Sequence, residues 1–269
     1  MLDLRLNEVA ETYSRDGVVS CRLMSSDAAA QHRVAFEQGE VALGPLHYID
    51  KVHTVMRSPF EIVSDPDVLD VVESMIGPDI LLYNSTYIVK EPGAASFVAW
   101  HQDLTYWGLS DPDAQVSMWF ALAPATVESG CMSMIPGSHT NGRVEHVEDV
   151  SDENLLLLGQ RMQNVDASAA RPYELAPGEA SFHHGWTVHA SGPNTSTDRR
   201  IGLNVQYVAP HNMQVGVPPT ATLVRGVDVY GHFGSETPAS TDYDPEAVRR
   251  WRELDQAMKD SFKTKVDDS

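Results

Sequence analysis

DILLYNSTYIVKE, residues 79–91, is the stretch whose reading decides the fold. It follows Gly77-Pro78, a pair that stops a helix, and it is rich in the β-branched and aromatic residues that suit a pleated surface. Runs of the same texture continue downstream: SFVAWHQD (96–103), QVSMWFALAPA (115–125), GCMSMIPGSH (130–139), GEASFHHG (178–185), WTVHAS (186–191) and RRIGLNVQYVA (199–209). Gly or Pro marks nearly every join. So many short strands at close spacing predict a mainly β protein, an antiparallel sandwich or barrel of the jelly-roll type.

Upstream of residue 79 the pattern is helical. Ser26-Asp27 can cap a run through about Glu37, and Ser64-Asp65-Pro66 opens a helix that buries Val68, Leu69, Val71, Val72, Met75 and Ile76 on one face. Downstream, Asp244 to Lys265 reads as an amphipathic helix with Val248, Trp251, Leu254 and Met258 on a stripe docked against the core. Between strands, residues 146–166 contain ENLLLLGQRM, which reads as a short helix or ordered loop. The organisation expected is a single domain of 269 residues: a helical part to about 78, a β core over about 79–210 and an extension with a helix over 211–269.

Asp and Glu outnumber Lys and Arg by 38 to 19, a formal charge of −19, so the surface field repels phosphate backbones and anionic lipid. Nucleic acid and membrane partners are not expected. The start, MLDLRLNEVAETYSRDG, has no basic flank before an apolar run, and no stretch is long enough to span a bilayer, which points to a cytoplasmic protein. Cys21 and Cys131 fit no metal-ligand spacing and read as reduced thiols.

With 11 histidines in the chain, spacing must select among them. In VAWHQDLTYWG a strand period of two puts His101 and Asp103 on one face, leaving room for a third ligand from another strand. That is the pattern of a two-His-one-carboxylate site with vacant positions, suited to iron(II). A turn-capping Asp beside a half-buried His would give the same spacing. In WTVHASGPNTSTDRRIGLNVQYV a strand ends at His189 and an apolar strand begins at Arg200. A guanidinium opening a buried strand needs an anionic partner, and it can clamp a carboxylate through two hydrogen bonds. Arg199 beside it suits an exposed strand edge. His183 and His184 alternate across a strand, so at most one faces a cavity, and His139 suits a turn. Tyr106 and Trp107 follow Asp103 closely enough to line a substrate pocket. Arg57, in VHTVMRSPF, and Arg225 could supply cations for an anionic substrate, but surface or structural roles suit them better.

WHQD (100–103), MIPGSH (134–139) and HASGPNTSTDRR (189–200) together resemble the phytanoyl-CoA dioxygenase family, with the likeness running from about Tyr83 to Val208 and again through ATLVRGVDVYGHF (221–233). The resemblance implies a double-stranded β-helix, the cupin-like jelly roll. It implies His101, Asp103 and His189 as ligands of Fe(2+), and Arg200 as the clamp on the far carboxylate of 2-oxoglutarate. Ser191 would add a hydroxyl to that carboxylate, Trp119 would pack beside it, and Asn84 would lie near the co-substrate. The activity implied is an O2-dependent hydroxylation of a small organic metabolite with release of succinate and CO2. The acidic surface favours a small polar or zwitterionic substrate over coenzyme A thioesters. Halogenating relatives carry a small residue where this chain has Asp103, which favours hydroxylation over chlorination. Desaturation, cyclisation, a cupin-like isomerase or hydrolase that does without Arg200, and a binding or sensor barrel stay open.

Overall fold

The computed structural model of the chain describes residues 5–105, 107–148, 151, 153–156, 160–214 and 220–267. Helix α1 (Leu6–Asp16) stops at Gly17, whose φ of 69° needs no Cβ and whose N–H bonds the Tyr13 carbonyl. Strand β1 (Val18–Arg22) follows. Helix α2 (Ser26–Leu43) is capped by Ser25, whose side chain accepts from the Ala28 N–H at 3.2 Å. The cap therefore sits one residue before the Ser26-Asp27 pair expected, and the helix continues past Glu37. Next come α3 (Arg57–Val63) and α4 (Pro66–Ile76), the latter capped by Asp65 with Pro66 in its first turn and burying Val68, Leu69, Val71 and Val72.

The strands are β2 (Ile80–Lys90), β3 (Val98–His101), β4 (Gln115–Ala121), β5 (Met132–Met134), β6 (His146–Glu148) and β7 (Gln160–Met162). After them come β8 (Arg171–Tyr173), β9 (Glu179–His183), β10 (His189–Ser191), β11 (Arg200–Val208), β12 (Thr220–Arg225) and β13 (Gly234–Ser235). A large sheet runs β1-β9-β4-β11-β2-β12-β13 and a small one β3-β10-β5-β8. Strands of both line one cavity between them, so the jelly roll expected from the strand texture is the fold. The central strands β2, β4 and β11 are buried along nearly their whole length, because the helices cover the outer face of the large sheet. Strands β1 and β12 extend this sheet from outside residues 79–210.

The segment read as a short helix or ordered loop is strand at both ends: β6 pairs antiparallel with β7. Residues 157–159 of ENLLLLGQRM lie outside the described residues. The closing helix α5 (Pro245–Asp267) is docked as its stripe predicts: Trp251 is buried, and its indole N–H donates to the Asp50 carbonyl at 2.7 Å. Among the described residues no helix is long and apolar enough to cross a membrane.

Candidate active site

His101 ends β3 and His189 begins β10, and the two residues are register partners, which brings their ring centroids to 4.1 Å. Each ring's Nδ1 lies 2.9 Å from the carbonyl two residues earlier, Ala99 for His101 and Thr187 for His189. A carbonyl can only accept, so both Nδ1 atoms carry the proton and both Nε2 atoms present a lone pair. Those lone pairs face Asp103 Oδ1, at 3.3 Å and 3.6 Å.

Asp103 reaches this point by a different route from the one its spacing suggests. The strand ends at His101, and Asp103 opens a 3-10 turn, Asp103–Thr105. The chain leaves the sheet because buried Gln102 is tied by its side chain to the Gly142 and Trp186 carbonyls, each at 2.8 Å, and to the Val144 N–H. Asp103 Oδ2 is held by the Ser117 hydroxyl at 2.9 Å and His183 Nε2 at 3.3 Å, which leaves Oδ1 for the histidines. Burial alone would raise this carboxyl, but the surrounding imidazoles, His189 first and then His101 and His183, hold it well below the usual range. The His189 ring is pushed down to about 3, by burial first and by His101 next, and so is neutral at physiological pH. Ligand atoms of His101, Asp103 and His189 all lie within 4.8 Å of one another. Two imidazoles that turn Nε2 to the same point and an ionised carboxylate beside them are the donor set that suits a divalent metal such as iron(II).

These groups open on a cavity of about 190 Å³. Arg200, at the start of β11, lines its far end and is 1% exposed. One of its terminal nitrogens donates to the Gly130 carbonyl, its Nε has no partner, and among the described residues no carboxylate pairs with it. Burial pulls the guanidinium down to about 10, still charged at neutral pH. The Trp119 ring lies 4.9 Å from its Cζ, where the missing side chain of Gly202 makes space for the indole. Arg199, by contrast, pairs with Glu40 and Glu91 outside.

Ser191 lines the cavity too, but its hydroxyl accepts from Lys90 Nζ at 2.7 Å. Asn84 lies on the wall six residues along β2 from Lys90, the register partner of Arg200. Its amide donates to Asp50 and accepts from the Lys51 N–H. Trp107 lines the cavity, and Tyr106 lies outside the described residues. Of the adjacent histidines His183 faces the site, while His184 turns to Asp113. Arg225 pairs with Asp70 and Glu73, and Arg57 with Glu61, both away from the cavity.

Sequence reasoning passed over Tyr48, Asp50, Lys90, Ser117, Asn204 and Gln206. A signal for four of them was available: Lys90 on β2, Ser117 on β4, and Asn204 and Gln206 on β11 fall in phase with Asn84, Trp119 and Arg200. Polar residues repeating at a period of two within otherwise apolar strands mark an inward polar face. Tyr48 and Asp50 sit in a connection and carry no such phase.

The model of the family described as phytanoyl-CoA dioxygenase matches residues 25–202, more than half of the chain. A probable phytanoyl-CoA dioxygenase of Caenorhabditis elegans is 27% identical over 181 residues, covering 64% of this chain and 56% of the relative. A probable alpha-ketoglutarate-dependent hypophosphite dioxygenase of Stutzerimonas stutzeri is 28% identical over 167 residues, 61% of this chain and 55% of the relative. The chain spans about half the length of the curated relatives it matches. Among solved structures, the apo form of ThoJ, a non-heme monooxygenase, superposes with a TM-score of 0.87 at 27% identity, covering 97% of this chain and 100% of that one. The matched span takes in β3, β10 and the start of β11, the strands that carry or border the three donors and the buried arginine. On that footing the chain belongs to the phytanoyl-CoA dioxygenase family.

Proposed function

We propose that this protein is an Fe(II)- and 2-oxoglutarate-dependent oxygenase, acting as one domain, that hydroxylates a small polar metabolite and releases succinate and CO2. The observation that carries the reading is the meeting of His101, Asp103 and His189 beside a buried Arg200 that has no carboxylate partner among the described residues. A cupin-like isomerase or hydrolase would use the same donors but would have no use for such an arginine.

In this reading His101 Nε2, His189 Nε2 and Asp103 Oδ1 hold the iron, and Arg200 binds the far carboxylate of 2-oxoglutarate. The bound iron supplies activation of O2 coupled to decarboxylation of 2-oxoglutarate. The Ala99 and Thr187 carbonyls fix the ring tautomers, and Ser117 with His183 keeps Asp103 from rotating. Trp119 covers the guanidinium and excludes water from its salt bridge. Ile88, Val98, Met132 and Leu156 make the cavity wall apolar, which strengthens each charged contact inside and keeps water from the reacting centre. Asp103 occupies the position at which a halide would need a vacancy, so hydroxylation is favoured over halogenation. A cavity of about 190 Å³ suits a small substrate beside the co-substrate.

Anaerobic addition of iron(II) and then 2-oxoglutarate is expected to produce a weak visible charge-transfer band. His189→Ala should abolish it. A band of the same strength in the variant, or none in the wild type, overturns the assignment.

A further inference from the structure

The cavity has a second charged group, Asp50, towards the end away from Arg200. On β11 and β2 the inward positions run from Arg200, opposite Lys90, to Gln206, opposite Asn84. Six residues of strand separate those ends, roughly 20 Å of backbone at the rise of an antiparallel strand. The row of Gln206 continues across the sheet to Ser117 and His183, the groups that hold Asp103. The Asn84 end is therefore level with the metal donors, while Arg200 lies deep.

At this level Asp50 lines the cavity. Its Oδ1 accepts from the Asn84 amide at 2.7 Å, and no described residue donates to Oδ2. The nearest lysine in sequence, Lys51, is already committed to Glu236 at 2.8 Å. Gln206, 4% exposed and on the cavity wall, has no side-chain partner among the described residues, and neither has Asn204. Tyr48, Tyr83 and Trp107 supply aromatic walls around the same space.

The backbone that carries Asp50 is built to hold it there. Tyr48 and Lys51, on either side, have φ of 55° and 60°, left-handed values that strain a non-glycine residue. The strain is held by hydrogen bonds at almost every step: Tyr48 N–H to the Tyr87 carbonyl at 3.0 Å, Thr86 hydroxyl to the Ile49 carbonyl at 2.8 Å, and Asp50 N–H to Asp255 at 2.9 Å. Lys51 N–H adds a bond to Asn84 at 3.0 Å, and the Trp251 indole bonds the Asp50 carbonyl at 2.7 Å. Helix α5 thus buttresses the segment from behind. Burial pushes the Asp50 carboxyl up to about 6, against the pull of the Asn84 hydrogen bond, so it is ionised above that pH.

We infer that Asp50 is the recognition residue for the primary substrate, and that this substrate carries a protonated amine which Asp50 accepts while Gln206 bonds a neighbouring polar group. The inference rests on the oxygenase reading for what happens after binding. It makes the substrate a cation at the end away from Arg200, so that the two organic molecules meet opposite charges at opposite ends of one cavity.

The probes are n-butylammonium, 1-butanol and butyrate, each titrated anaerobically at a pH well above 6 into protein loaded with iron(II) and 2-oxoglutarate, with binding read by intrinsic tryptophan fluorescence. The wild type should bind butylammonium at least tenfold more tightly than butanol and reject butyrate. Asp50→Asn, which keeps the shape and the Asn84 contact, should lose that preference while butanol binding persists. Gln206→Leu should weaken binding of a probe with a second polar group, ethanolamine, more than that of butylammonium. Failure of butylammonium to bind, equal binding of butanol, or a preference that survives in Asp50→Asn overturns the inference. Absence of the charge-transfer band in the same samples strikes the oxygenase reading instead, so the two failures are distinct.

Discussion

Two buried cations, Lys51 and Arg200, sit in opposite states of completion. Lys51 lies 2.8 Å from Glu236 and donates to the Tyr83 and Thr220 carbonyls, while the other oxygen of Glu236 faces His53 Nε2 at 3.1 Å. The protein supplies every partner that this charge needs. Arg200 has a carbonyl, an indole face and open cavity. An unpaired buried charge is costly, so a fold that retains one has its counter-charge arriving from elsewhere. The first cation is a fixture of the fold, and the proposed function makes the second a receptor.

The contrast predicts opposite phenotypes. Lys51→Ala strips the partner from a buried carboxylate and is expected to lower unfolding stability by about 3–5 kcal/mol, measured by urea denaturation. Replacing both members, Lys51→Met with Glu236→Leu, should recover most of that loss, because neither charge is then left alone. A Lys51→Ala variant as stable as the wild type would break the comparison at its structural end.

Arg200→Ala is expected to cost 2-oxoglutarate roughly 2–5 kcal/mol of affinity, followed through the charge-transfer band, with a smaller effect on unfolding than Lys51→Ala. Arg200→Lys keeps the charge but not the planar fork, so it should fall between the variant and the wild type. Unaltered co-substrate affinity in Arg200→Ala would remove the residue from the site.

The same two regions show what a sequence can and cannot reveal. Strands β2, β4 and β11 were legible because long apolar runs bounded by Gly and Pro must pair and bury. Arg200 was legible because a guanidinium at a strand start needs a cavity or a partner, whereas His189, expected to end a strand, begins β10 instead. The path of Asp103 was not, since its departure from β3 depends on Gln102 finding carbonyls 40 and 84 residues away. Lys51 and Glu236 pair across 185 residues of chain, and no local pattern announces such a partner. Strand β1 was missed for a related reason: five residues, VVSCR, become a strand only because the edge of β9 is there to pair with.

Acid offers a finer probe of the completed pair. Burial would raise the Glu236 carboxyl, but Lys51 and His53 overcome it and bring it to about 2 from the ordinary 4.5. A carboxyl depressed in the folded state contributes stability above its unfolded value, and that contribution is lost as pH falls through the folded one. The wild type should therefore lose stability between about 4.5 and about 2 more steeply than Glu236→Gln, which has no proton to take up. Parallel curves for the two proteins would show that the pair is not ionised as drawn.

The smallest effect tests the receptor rather than the fixture. Trp119 lies against Arg200 with its ring 4.9 Å from Cζ, in a space that exists because residue 202 is glycine: a Cβ there would fall 2.0 Å from the indole. The ring screens the guanidinium from water on one side and leaves the other for a carboxylate. Trp119→Phe keeps an apolar cover but a weaker π face, so 2-oxoglutarate should bind about 0.5–1 kcal/mol less tightly. If the ring acts through the arginine, the loss should vanish in an Arg200→Ala background, because the face then has no cation to support. Additive losses would mean that Trp119 touches the co-substrate by itself, and the receptor would then be a two-residue surface in place of one charge with a lid.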